Sequence, residues 1–397
     1  MLQKKIEKIK KLIHDDGLVA TLQYLLKRTK GRPTDILLSY DFVIQKPFGD
    51  PYKSETETAR TINWVIPDII IGSGGHLNVF RLILLLEKLG FKNRILLIHS
   101  KFRTNQAAKD AIRQHFYPIN AEVLINKFDL KGAAITVATS WISAYFVRDF
   151  QTTQHRCYFV QDYEPYFYAH GSDFELSKAT YNFGFYGITA GNWLANKLSK
   201  DHNMQTLGMG FSYDRDLYRP YPKKNPAQRQ VFFYARPSTE RRGFELGLLT
   251  LSIVAQQLPD TTFILAGADL SKYHIPFKHV CAGNVAVKDL PELYSQCDVA
   301  LVLSLTDLSL LPVELMACGC AVVSNQGDNV EWLLNKDNAV ITDSTPEALS
   351  AGIVYLLKNE NYRKKLIQSA LNFSASTRWD TEAEKVASFF ESLLVKE

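Results

Sequence analysis

In the stretch TDLSLLPVELMACGCAVVSN, Thr306 to Asn325, a proline at Pro312 stands two residues before a carboxylate at Glu314. Proline in the first turn of a helix costs no hydrogen bond and presets φ, while the first-turn amides keep N–H groups pointing toward the loop. That start is a seat for an anion at Ser309, Leu310 and Leu311, and Glu314 beside it can accept bonds from a ribose-like ring. The plainer reading has Glu314 only offsetting the helix dipole. A second piece, FFYARPSTERRGFELGLLTL, Phe232 to Leu251, places Arg236 at a strand end and Arg241-Arg242-Gly243 before the next helix. Arginines so placed converge on one lip and can grip a diphosphate by charge-assisted bonds, although exposed loop arginines are common. A third piece is richer in rings. Asp162 lies just past the strand YFVQ, where it can orient a hydroxyl, and Tyr158, Phe159, Tyr163, Tyr166, Phe167 and Tyr168 exceed what one strand end needs for packing. Exposed aromatic faces with polar tips suit sugar rings. A Tyr-rich core with Asp162 capping a turn fits the same letters.

These residues need a frame that brings loop ends together. From about Asp35 the chain alternates short apolar runs with amphipathic stretches, the pattern of a parallel sheet wrapped by helices. IPDIIIGSGGHLNVFRLILLLEKLG predicts a strand, a glycine turn at Gly72, Gly74 and Gly75, and a helix. RILLIHS, AAITVAT and HRCYFVQD predict the following strands, and a second series runs through VFFYAR, TTFILAG, VALVLS, CAVVSN and NAVIT. Two α/β, Rossmann-like domains in tandem follow, with the ligand in the cleft beyond the carboxyl ends of their strands. The expected divisions are a basic amphipathic segment 1–33, a first domain 34–207, a linker 208–230, a second domain 231–375 and a closing helix 376–397.

Composition bounds the remaining classes. The 397 residues exceed one ordinary core, and a net charge of +5 is small for a nucleic-acid binder of this length. No run of about 20 apolar residues appears and the N-terminus lacks the pattern of a signal peptide, so a cytoplasmic protein is expected. Lys4, Lys5, Lys8, Lys10 and Lys11 interleave with Ile6, Ile9, Leu12 and Ile13. That face can rest on anionic lipid or pack on the body. The five cysteines lack zinc-site spacing. Gly72-Ser73-Gly74-Gly75 lacks the full dinucleotide fingerprint, since Leu77 stands where glycine is needed. Asp214-Arg215-Asp216 is a D-x-D, but it falls in the expected linker, and His76 after the glycine turn reads as structural.

FFYARPSTERRG resembles the family-4 glycosyltransferase pattern of a strand, Gly-Arg and a following Lys-Gly, with Arg236 and Arg242 at the two cations. TDLSLLPVELMACGCAVVSN is similar to that family's Glu-x7-Glu segment. Glu314 falls on the second glutamate, which binds the ribose of a nucleotide sugar, and Thr306, next to Asp307, falls on the first, which touches the donor sugar. The likeness runs on through GNVAVKDLPELYSQCDVALVLS, which contains Lys288, and through the closing TRWDTEAEKVASFFESLL. In the first domain, YFVQDYEPYFYAHGSDFELSKATYNFGFYGITAGNWL resembles the WsaF-type rhamnosyltransferases, which build rhamnan chains of surface-layer glycans; Gln161 stands where the wider family has a histidine.

The resemblance implies a GT-B fold and retaining transfer of L-rhamnose from dTDP-L-rhamnose to a rhamnose hydroxyl of a lipid-linked chain. Together with the reading of the residues above, it gives Arg236, Arg242 and Asp162 as expected catalytic residues, with Glu314, Thr306, Asp307, Ser309, Leu310, Leu311, Lys288, Gly74 and Gly75 expected at the donor. Tyr163, Tyr166 and Tyr168 would meet the acceptor. No cofactor and no metal are expected, nor nucleic acid; the partners are the nucleotide sugar, the lipid-linked acceptor and a peripheral membrane contact through the N-terminus. A UDP- or GDP-sugar donor, or a catalytically inactive nucleotide-sugar-binding subunit, stays open because Thr306 lacks the usual carboxylate. A nicotinamide oxidoreductase is the poorest fit.

Overall fold

The computed structural model describes residues 35–53 and 59–395, so the basic segment 1–33 lies outside the described residues. The chain divides into two units, Met1–Lys46 and Pro47–Glu397. In the first, a short helix Ile36–Ser39, capped by the Asp35 side chain, leads into a 3-10 turn Asp41–Val43.

The second unit holds two all-parallel sheets. Seven strands form the first: β1 (Thr61–Ile66), β2 (Lys92–Leu97), β3 (Glu122–Leu124), β4 (Ala133–Ala138), β5 (Thr153–Val160), β6 (Tyr186–Ala190) and β7 (Thr206–Met209). Their spatial order is β3-β2-β1-β4-β5-β6-β7. The second sheet contains β8 (Gln230–Tyr234), β9 (Thr262–Ala266), β10 (His279–Gly283), β11 (Val299–Val302), β12 (Ala321–Asn325) and β13 (Val340–Thr342), in the order β10-β9-β8-β11-β12-β13. In both sheets the order reverses beside the first strand, between β1 and β4 and between β8 and β11. Loops leaving those strands on opposite faces open a crevice there.

Five helices accompany the first sheet: α1 (Gly74–Lys88), α2 (Asn105–His115), α3 (Trp141–Asp149), α4 (Ser172–Ala179) and α5 (Gly191–His202). The second carries α6 (Phe244–Gln257), α7 (Leu290–Gln296), α8 (Leu311–Ala317), α9 (Asp328–Glu331), α10 (Pro346–Lys358) and α11 (Glu360–Ser376). The last helix, α12 (Trp379–Leu394), packs on α1 and β7 of the first sheet. Gly210 N–H donates to Glu382 at 2.8 Å, and Arg60 pairs with Glu391 at 2.9 Å. The chain thus crosses between the domains twice, once through the linker and once through α12.

Central strands are apolar because both faces are covered. Every residue of β1 and β4 is buried, and the polar exceptions find partners: Asn63 donates to the Lys131 carbonyl, and the Trp64 indole donates to Asn93 at 2.8 Å. The expected strand in IPDIIIG is corrected here. β1 is the preceding TINWVI, it ends before Pro67, and Ile70 and Ile71 stand exposed in the loop to α1. An apolar triplet resembles a buried strand in sequence, yet Pro67 lacks the N–H a central ladder needs. β7 includes Gly208 and Met209, and β8 begins at Gln230, so the connection between the sheets runs over 210–229.

Candidate functional site

Most candidate residues lie in the segments that follow the carboxyl ends of strands: Gly74 after β1, Asp162 after β5, Arg236 to Arg242 after β8, Lys288 after β10 and Thr306 to Leu311 after β11, with Glu314 inside α8. Three of these loops meet. Thr306 Oγ1 donates to Asp162 Oδ2 at 2.8 Å, and Arg241 Nε lies 3.7 Å from the same oxygen, so a first-domain carboxylate is held by two groups of the second domain. Asp162 is 8% exposed, and its Oδ1 has no partner among the described residues. Burial raises its pKa to about 6, against the lowering effect of the Thr306 bond and of the Arg241 and Arg242 charges.

A second crossing lies beside the first. The Trp193 indole at the start of α5 donates to Asp307 Oδ1 at 2.8 Å, and the Trp332 indole donates to the same oxygen at 3.1 Å. Trp332 reaches that point by lying flat on Gly191. That glycine has φ +72, and a Cβ there would stand 2.4 Å from the ring. Burial, followed by the nearby Asp162 charge, pushes the Asp307 carboxyl well above the usual carboxylate range. Arg242 Nη1 bonds Ser304 Oγ at 3.2 Å and the Asp307 carbonyl at 3.3 Å, fixing the loop that presents Thr306. The Ser304 hydroxyl bonds the same carbonyl. Two carboxylates and two arginines therefore form one cluster of charge.

Arg236 stands half-exposed just past β8, its Nη1 on the Tyr234 hydroxyl at 2.8 Å, with no acidic partner among the described residues. At the start of α8, Ser309 Oγ accepts from Leu311 N–H at 3.4 Å, and Leu310 is buried in a cluster that includes Phe211 of the linker and Trp379 of α12. Glu314 does not join the Asp162 cluster. Burial raises its pKa to about 7; the lowering influences are the Tyr218 hydroxyl and the Arg81 charge, and Asp214 opposes them. Lys288 is exposed in the turn Val287–Asp289. Gly74 has open space where a side chain would stand, and the Gly75 carbonyl accepts from Gln161 Nε2 at 3.0 Å. Gln161 also accepts from Asn78, so it ties the Asp162 loop to α1. His76 accepts from Ile70 N–H at 3.3 Å, and burial lowers its pKa, as expected of a structural histidine.

The aromatic segment is not uniformly open, which corrects the expectation of exposed faces. Tyr158, Phe159 and Tyr163 are buried, with Tyr163 stacked on Tyr181. Tyr166 and Phe167 are exposed, and Tyr168 is half-buried, its hydroxyl accepting from the Trp141 indole at 2.9 Å. The Arg241 guanidinium lies 4.2 Å over the Phe167 ring. Beneath them Glu164 accepts from Trp141 N–H at 3.0 Å and from the Tyr158 hydroxyl, clamping this loop to the start of α3. Burial raises the Glu164 pKa to about 7. Cys318 and Cys320 are buried and free, and the Asp214 carboxylate accepts from Asp216 N–H at 3.2 Å.

The sequence reading named Arg242 but not Arg241 as a site residue, and it missed Trp193, Trp332 and Ser304. Only the adjacency of Arg241 to Arg242 pointed toward the first of these.

Two parallel sheets with facing loop ends have many counterparts. Sucrose-phosphate synthase from Thermosynechococcus elongatus superposes with a TM-score of 0.67 at 14% identity, over 85% of this chain and 100% of the other. Anabaena HepE in complex with UDP and glucose gives 0.64 at 17% identity, over 84% and 100% of the two chains. The fold is GT-B. In sequence, residues 229–354 match the family described as WsaF, C-terminal domain. The O-antigen biosynthesis protein RfbC of Myxococcus xanthus is 35% identical over 264 residues, which are 65% of this chain and 20% of that protein. The chain thus spans about a fifth of the length of the curated relative it matches. Among the described residues no helix is long and apolar enough to cross a membrane.

Proposed function

We propose that this chain is a GT-B glycosyltransferase that takes a nucleotide-activated sugar and extends a surface polysaccharide, with dTDP-L-rhamnose as donor and a rhamnose hydroxyl of a lipid-linked chain as acceptor. The observation that carries the reading is the meeting of Asp162, Thr306, Arg241 and Arg242 at facing loop ends, with Arg236 on the same lip. HepE, solved with UDP and glucose, supports a nucleotide sugar as ligand. The WsaF match and the O-antigen role in the name of RfbC support a surface glycan.

Breaking the bond from the anomeric carbon to phosphate builds positive charge on the sugar and negative charge on the diphosphate, so stabilising the leaving group supplies most of the catalysis. Arg236 and the arginine pair at 241 and 242 meet that charge without a metal or other cofactor. For retention, the acceptor oxygen attacks on the face the diphosphate leaves, and the departing phosphate oxygen takes the acceptor proton. Glu314 binds the ribose and Asp162 aligns a sugar hydroxyl, while Tyr166 and Phe167 offer open faces to the acceptor.

The test is turnover of dTDP-L-rhamnose, UDP-glucose and a GDP-sugar by the purified chain with a rhamnose-terminated lipid acceptor, the product's anomeric form being read by NMR. Rhamnose transfer with retained configuration is expected. Transfer from a UDP- or GDP-sugar alone, or inversion, overturns the finer assignment. Thr306, uncharged where the family pattern has glutamate, favours one second reading, a nucleotide-sugar-binding subunit without catalysis; tight nucleotide binding with no turnover of any donor would establish it.

A further inference from the structure

A cavity of about 200 Å³ lies where the linker meets α12, away from the Asp162 contact, and it is lined from four parts of the chain, one of them Tyr117 after α2. Arg81 comes from α1, Asp214 and Arg215 from the linker, and Arg378, Trp379 and Asp380 from the start of α12. Arg81 is 7% exposed: its Nε donates to the Tyr117 hydroxyl at 2.6 Å and its Nη2 lies 3.8 Å from Asp214, but Nη1 has no partner among the described residues. Trp379 is 9% exposed, and its indole N–H likewise has no partner among the described residues. The Arg81 guanidinium stands 4.8 Å over the Trp379 ring, so both unmatched donors belong to one contact. Buried N–H groups without acceptors are rare and costly. α12 adds its own demand. It is 16 residues long, and no side chain of its N-cap residue Arg378 satisfies the first-turn amides.

We propose that this cavity is an anion site of the interdomain hinge, sized for a phosphate-type oxyanion. Such an ion supplies acceptors to Arg81 and Trp379 at once and meets the positive end of α12. Three arginines outnumber the two aspartates, Asp214 and Asp380, among its lining groups. Because the donors belong to the first domain and to the helix that crosses back to it, and Arg215 extends from the linker, a bound anion would bias the setting of one domain against the other. The proposal is independent of which sugar the cleft takes.

The experiment measures the thermal transition of the full chain against inorganic phosphate at constant ionic strength, with sodium chloride as reference. Wild type should show a saturable, phosphate-specific rise in Tm. Trp379→Phe keeps the ring but removes the donor, and it should weaken the apparent affinity about tenfold. Arg81→Met should abolish the response, while Arg236→Met on the cleft lip should retain it. Should Arg81→Met not fold, Trp379→Phe alone carries the test. No phosphate-specific shift in wild type, an undiminished shift in Trp379→Phe, or a shift lost only in Arg236→Met would each overturn the hinge site.

Discussion

Thr306 carries no charge of its own, yet it places one: its hydroxyl holds the Asp162 carboxylate across the cleft at 2.8 Å. That bond lowers the Asp162 pKa against the burial that raises it to about 6. Thr306→Val removes the donor and leaves the shape, so the Asp162 pKa should rise and the acid limb of the kcat/KM profile should move to higher pH. A loss of about 1–3 kcal/mol is expected from the unmatched carboxylate oxygen. Thr306→Ser should restore the wild-type profile; an unmoved acid limb in the valine variant would show that Asp162 does not govern it. Arg236 differs in having no acidic partner among the described residues. Its charge is available to a leaving diphosphate, so Arg236→Ala should lower kcat about 100-fold or more while the nucleotide Kd changes less. Steady-state kinetics beside calorimetric titration with the nucleoside diphosphate separates the two effects.

The loop from Gln161 to Tyr168 is held by its underside. Glu164 accepts bonds from Trp141 N–H and the Tyr158 hydroxyl, and the Tyr181 hydroxyl accepts from Glu164 N–H at 3.1 Å, so one buried residue joins β5, α3 and the turn after α4. Burial raises its folded pKa to about 7 from the ordinary 4.5 of a glutamate. The folded state therefore binds the proton more tightly than the unfolded state. Stability from this group is fully present below the unfolded pKa and declines as pH rises toward 7, by an amount on the order of 3 kcal/mol. Glu164→Gln cannot titrate, and its denaturation midpoint should be flatter than wild type between pH 4.5 and 7. Urea unfolding at a series of pH values measures this; parallel curves for the two proteins would contradict it.

Across the whole molecule, the two domains are joined at the cleft by few polar contacts. Trp193 on α5 reaches Asp307 at 2.8 Å, and Trp332 on the other side lies against Gly191. A buried carboxylate losing one of two indole donors is left poorly matched, at a cost of about 1–3 kcal/mol. Trp193→Phe should therefore favour separation of the domains without unfolding either. Small-angle scattering should report a larger radius of gyration at unchanged circular dichroism, reversed by saturating nucleotide sugar if the ligand bridges the cleft. An unchanged radius would mean that α12 and the linker set the closure alone.

What the sequence by itself determined is the alternation of buried strands and amphipathic helices, because a two-sided parallel sheet demands continuous apolar runs such as AAITVA in β4. It also placed the chemistry-bearing residues at strand ends, where short polar loops must leave the sheet. Short edge strands such as β3 and β10 were not legible, since three to five partly exposed residues carry little periodic signal. Ile69 to Ile71 misled for the opposite reason, being apolar but placed beyond a proline that ends the strand. The partnerships were decided only in three dimensions. Asp162 and Thr306 are 144 positions apart, and Trp193 and Asp307 are 114 apart. No local pattern encodes such pairs, because the packing of one domain on the other selects them. Packing within the first domain buried Tyr163 while leaving Tyr166 exposed, and the return of α12 onto α1 set Arg81 against Trp379 in a cavity that neither local sequence announces.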